Sequence, residues 1–167
     1  MKWRNHMLMS GSIAVLCGFS PLAVAYCAGA SALPDQLETI GPIRIIPHRT
    51  ITHELGLWLA GIALGAWFPF LEHLPPLLAA TLCGMRFRSW MLFLPGVLHL
   101  AGDALTPGGV RVFGRKLALG LFRTGEPVEY VVAFVFAVAA GIDIYFIVPD
   151  VLDRVSMIKA KFFGSFQ

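Results

Sequence analysis

The apolar runs of this chain are plentiful but individually short, and that limits what it can fold into. Hydrophobic residues make up 57% of its 167 positions and charged residues 14%. That balance lies outside ordinary soluble domains and matches helical membrane proteins. Gly and Pro nevertheless cut most of the runs before they reach the ~20 residues that a bilayer core requires. Only the stretch from Val128 to Val148 is long enough, at about 31 Å of helical rise. The expectation is an all-α, integral membrane helical bundle in which short helical hairpins surround a polar site near the membrane surface. One membrane-embedded domain spans residues 1–150, and residues 151–167 read as an amphipathic tail lying on the surface.

Residues 1–32 admit two readings. Lys2 and Arg4 ahead of an apolar run, with Ala28-Gly29-Ala30 or Ala30-Ser31-Ala32 as a small-residue cleavage site, describe a secretory signal peptide. Alternatively, Gly18-Phe19-Ser20-Pro21 stops one helix and starts another, with Ser20 as N-cap and Pro21 at N1. Each half then has about 12 residues and is about 18 Å long, too short to cross. The resulting hairpin returns the chain to its starting side and brings His6 near Asp35.

The most polar part of an apolar region is Val97 to Pro107, where His99 and Asp103 are four residues apart and share one helix face. Burying that pair demands a partner: a metal cation, or a hydrogen bond that pins two helices together. The loop over residues 31–53 adds Asp35, Glu38, His48, Arg49 and His53. Thr52 reads as the N-cap of the following helix, with His53 and Glu54 in its first turn, where Glu54 complements the helix dipole. Ser89 reads as the N-cap of the helix carrying His99, and residues 110–127 read as a basic loop. His73 belongs to a solvated turn.

If the first 32 residues form the hairpin, His6, Asp35, His48, His53, His99, Asp103 and Glu129 lie near one membrane face. Such a set suits two or three zinc-like divalent ions held by mixed nitrogen and oxygen ligands. Glu38, Glu54 and Glu129 are secondary candidates. The cysteines, Cys17, Cys27 and Cys83, sit far apart in apolar runs and read as small buried hydrophobes. The net charge of +3 is spread without a basic stripe, so no nucleic-acid partner is expected.

At His6, the stretch Ala28 to Asp35, His48-Arg49-Thr50-Ile51-Thr52-His53 and Val97 to Val110, the chain resembles a family of membrane-bound metal-dependent hydrolases. That family is described as LexA-binding, inner membrane-associated hydrolases (the YdjM family), and is itself similar to the zinc-dependent phospholipase C and P1 nuclease group. The resemblance covers about residues 1–130. It implies an all-helical fold, metal ligation by His6, Asp35, His48, His53, His99 and Asp103, and phosphoester cleavage in the inner membrane. Where the family shows a second Asp and a His after the first acid, this chain has Asp35-Gln36-Leu37-Glu38. In the hydrolytic reading Asp103 or Asp35 orients a metal-activated water and Arg49 clamps a phosphate oxygen. The competing reading is a non-catalytic metal-binding membrane protein that recruits a cytoplasmic protein partner. Substrates fall among phospholipids or other phosphoesters, and the distribution of Lys and Arg tilts the site toward the cytoplasm.

Overall fold

The structure is a computed structural model that describes residues 1–40, 43–47, 50–75, 78 and 87–163. Of residues 39, 40, 44, 72 and 146–163 only the backbone is considered. The chain is mostly helical: α1 (Trp3–Leu16), α2 (Pro21–Ala30), the single turn α3 (Leu33–Gln36), α4 (Leu55–Trp67), α5 (Leu94–Ala104) and α6 (Pro127–Phe163). Two small antiparallel hairpins interrupt it, β1 (Thr39–Ile40) with β2 (Ile43–Arg44) and β3 (Val110–Val112) with β4 (Arg115–Leu117).

The first 32 residues fold as the hairpin. α1 ends where Gly18 takes φ +68°, a left-handed conformation that a glycine adopts without penalty. Ser20 then caps α2 by accepting from the Ala23 N–H, and Pro21 occupies the first turn. The two helices approach closely because Gly11 faces Ala28: a Cβ added to Gly11 would lie 3.1 Å from the Ala28 Cβ.

α5 is the hub of the packing, with a different apolar cluster on each side. Leu98 packs with Ala14 and Cys27, while Leu100 packs with Trp58 and Val110. Past its C-terminus, Leu105 joins Met1, Met9 and Phe122. Each large side chain buried this way contributes about 1.5–3 kcal/mol. The face left between these clusters carries His99 and Asp103.

Among the described residues α6 alone holds a stretch long and apolar enough to cross a membrane, Pro127–Tyr145, and little of that stretch is buried. A multi-pass bundle is therefore not shown. The helix also continues as one element to Phe163.

Several local expectations give way to tertiary contacts. Residues 110–117 form a hairpin instead of a loop, because Phe113 (φ +49°) and Gly114 (φ +77°) supply the paired left-handed residues of a tight turn. Thr52 caps nothing; it lies in a single 3-10 turn (Ile51–His53), and Glu54 takes the N-cap position of α4. Ser89 accepts from the Leu71 N–H instead of capping α5, whose start is set by Pro95 in its first turn. Cys27 is buried but Cys17 is exposed, and Cys83 lies outside the described residues, as does most of the expected helix over 76–85.

Candidate metal centre

Three elements bring three imidazoles together. His6 comes from the first turns of α1, His53 from the 3-10 turn ahead of α4, and His99 from the middle of α5, one turn before Asp103. Asp35 is added by α3. His6, His53 and His99 are fully buried and Asp103 nearly so, whereas the Asp35 side chain keeps 37% of its surface. Among the described residues the centre is closed except on the Asp35 side.

The ligand atoms fall into two groups that share His99. In one, His6, His99 and Asp103 offer donor atoms within 4.8 Å of one another; in the other, Asp35, His53 and His99 do so. Asp103 spans both. Its Oδ1 lies 3.3 Å from His6 Nε2, and its Oδ2 lies 3.4 Å from His53 Nε2 and 3.6 Å from His99 Nε2. Asp35 Oδ1 lies 3.4 Å from His53 Nε2 and 3.8 Å from His99 Nε2. The ammonium of Met1 also reaches Asp103 Oδ1 at 2.6 Å, so this carboxylate attracts positive charge from several directions.

The outer contacts fix the rings in the way that metal-ligating histidines usually are. His99 Nδ1 donates to the Ser31 carbonyl at 2.7 Å, which leaves the Nε2 lone pair facing the cluster. His53 Nδ1 lies 3.0 Å from Glu38 Oε1, and the same carboxylate oxygen accepts from the Thr52 hydroxyl. Trp58 Nε1 in turn holds the Thr52 carbonyl at 2.8 Å. His6 stacks on His99 with ring centroids 3.9 Å apart and planes 19° apart. The contact is possible because residue 102 is glycine: a Cβ there would lie 3.0 Å from His6 Nδ1 and 2.8 Å from the Met9 methyl.

Among the described residues, neither ring nitrogen of His6 nor His99 Nε2 makes a hydrogen bond, although all three atoms are buried. Buried polar atoms in that state are costly, and nitrogen lone pairs beside two carboxylates are suited to a divalent cation. Buried His/Asp groups able to hold a metal ion are therefore present.

The electrostatics separate the histidines. Burial pushes the His6 pKa down to about 4, against the pull of Asp103. His53 is also buried, but the Asp103 and Asp35 carboxylates outweigh desolvation and raise it to about 9. Asp103 is held well below the usual carboxylate range: burial opposes ionisation, and contacts from His53, His6 and His99 more than reverse it. Asp35 is lowered for the same kind of reason, chiefly by His53.

Of the residues expected from sequence, His6, Asp35, His53, His99 and Asp103 meet. His48 and Arg49 lie outside the described residues. Three acids take other positions. Glu38 sits behind His53, so it orients a candidate ligand. Glu54, at the N-cap position of α4, accepts from the Phe113 and Gly114 N–H groups at 2.6 and 3.2 Å and clamps the β3–β4 turn. Glu129 accepts from Lys2 N, Asn5 Nδ2 and Gly125 N and belongs to neither ligand group. The Ser31 carbonyl was not foreseeable, since every residue carries one and only the tertiary fold selects it. No family model, no curated protein and no solved structure matches this chain.

Proposed function

We propose that this chain is a membrane-bound, metal-dependent hydrolase of phosphoesters, with the shared His6/His53/His99/Asp103/Asp35 centre as its active site. The observation that carries the reading is the meeting of buried imidazole nitrogens, each on a ring held or stacked from behind, around two carboxylates. His99 Nε2, with its one lone pair, would serve one divalent cation, held either with His6 and Asp103 or with His53 and Asp35; zinc suits this donor set. Such a cation supplies Lewis acidity and lowers the pKa of bound water toward neutrality. Asp103, with its two oxygens facing different histidines, fixes the spacing of the two groups. Asp35, the half-buried member, would accept a proton from an incoming water. In this reading the short helices sit in the bilayer around α6, and the resemblance to the membrane-bound hydrolases points the same way. Arg49 and His48 are assigned from that resemblance, as phosphate clamp and further ligand.

The near-complete burial of the histidines favours a second reading, a closed structural metal site in a protein that recruits a partner. Turnover separates the two. Purified full-length protein, metal content measured, is assayed on phospholipid and on a soluble phosphodiester, alongside Asp103→Asn. The hydrolase reading expects a rate drop of about a hundredfold or more in the variant, beyond what loss of an outer-shell contact produces. Equal rates, or none in a metal-loaded wild type, would leave the structural reading.

A further inference from the structure

On the opposite side of α1 from His6 runs an open, almost wholly apolar groove of about 650 Å³. One wall is the α1 face that carries Met7, Gly11 and Val15, spaced one helical turn apart. The other is the membrane-length part of α6, through Ala137, Gly141 and Ile144, and Val24 and Ala28 of α2 also line it. The close approach of Gly11 to Ala28 brings α1 and α2 together here. A Cβ on Gly141 would meet nothing within 4 Å, so the space stays open along α6.

The groove has a direction. Lys2 is hydrogen-bonded to Glu129, and Met1 and Met9 share a cluster with Val132 and Phe136, so α1 and α6 run side by side in the same sense. It therefore extends from Trp3 and Arg4 at one end to Val15 and Ile144 at the other, about 18 Å by helical rise. The two ends differ in chemistry. At the first, the exposed Arg4 guanidinium lies over the Trp3 ring, 5.6 Å from its centroid, and no carboxylate pairs with it among the described residues. Lys2 stands beside it, bonded to Tyr130. Cations beside aromatic rings at the end of an apolar helix form the pattern of a headgroup-level anchor. Among the described lining residues, the far end has neither.

We propose that this groove seats one acyl chain of a membrane lipid with an anionic phosphate headgroup, the headgroup lying at Arg4. Three features select a lipid. The wall on α6 belongs to the membrane-length segment, the lining is almost wholly apolar, and among the described lining residues positive charge stands at one end. The groove and the His/Asp centre lie on opposite faces of α1, so the lipid is a second ligand and not the substrate of that centre. Its binding therefore stands or falls independently of hydrolysis.

The test uses full-length protein in vesicles of phosphatidylcholine and phosphatidylglycerol, with a photoactivatable diazirine on an acyl chain of one lipid or the other. Photolysis of the phosphatidylglycerol probe is expected to label peptides of α1 and of residues 137–144, and excess unlabelled phosphatidylglycerol is expected to suppress the labelling. Gly141→Trp fills the groove and lowers that yield about tenfold, whereas Ile142→Trp, at the exposed neighbouring position, leaves it unchanged. Arg4→Ala lowers the yield for the phosphatidylglycerol probe and not for the phosphatidylcholine probe. The wild-type competition stands even if a variant fails to fold. Labelling spread evenly along exposed Phe134 and Val138 and unmoved by competitor would overturn the assignment. So would a lipid-free dimer, seen by native mass spectrometry and broken by Gly141→Trp, which would give the groove to a second copy.

Discussion

The two ligand groups share His99 yet handle charge in opposite ways. Around His6 the imidazole is buried, has Asp103 beside one nitrogen and no hydrogen bond at either among the described residues, and is driven toward its neutral form. Around His53 the imidazole lies between carboxylates, with Glu38 on one nitrogen and Asp35 and Asp103 near the other, and is driven toward its charged form. A proton can satisfy the second group; the first is left with lone pairs that a metal ion satisfies better. The contrast comes from the number of acids per ring and the exposure of Asp35.

The most damaging way to break the contrast is to remove what the groups share. His99→Ala deletes a donor from both, and elemental analysis should find bound divalent metal reduced to background. His6→Ala and His53→Ala each take a donor from one group only, so the variant that breaks the group holding the ion should lose metal while the other keeps it. If both single variants empty the protein, the two groups act as one site. The next largest effect comes from behind the ligands. Glu38→Gln keeps the shape but removes the charge that orients His53, and metal affinity should fall about 10–100-fold where the ion sits with His53 and stay unchanged where it sits with His6. A metal titration measures this.

A steric variant sharpens the comparison from the His6 side. Gly102→Ala puts a methyl group into the His6 ring and the Met9 methyl, at a cost of about 1–3 kcal/mol. A melting temperature lower by roughly 2–4 °C per kcal/mol is expected. Gly29→Ala, whose new methyl meets nothing within 4 Å, should match or exceed wild type, and equal losses in both would remove Gly102 from the account. The smallest effect is the pH profile of chelator-treated protein. His6, depressed to about 4, charges first in the unfolded chain, so stability rises as pH goes from about 4 to 6.5. His53, raised to about 9, contributes fully below 6.5 and loses that contribution as pH climbs through 9. Melting should peak near pH 6.5 by a few degrees. A curve that only rises or only falls would mean that the rings do not differ.

Much of this was legible in the sequence because it rests on local rules. The i, i+4 spacing of His99 and Asp103, the Gly18-to-Pro21 stop and start, and the single membrane-length stretch each follow from helix geometry. The misplaced features follow from contacts between distant segments. Glu38 reads as a ligand because it lies near Asp35 in sequence, and only the tertiary fold turns it toward the back of His53. Thr52 and Ser89 have the composition of N-caps, yet each is drawn to a partner more than ten residues away, Glu38 and Leu71. The hairpin at Phe113-Gly114 hides because phenylalanine rarely accepts positive φ, and it does so here where the Glu54 carboxylate holds the turn.

Glu129 has a mechanical consequence. Its carboxylate ties the start of α1, through Lys2 and Asn5, to the first turn of α6, so the two helices cannot slide past each other there without giving up buried hydrogen bonds. His6 rides on α1 one residue beyond Asn5. Any tilt of α6 is thus delivered to the His6 ring as a displacement, and the geometry of the centre is referenced to a helix long and apolar enough to cross a membrane.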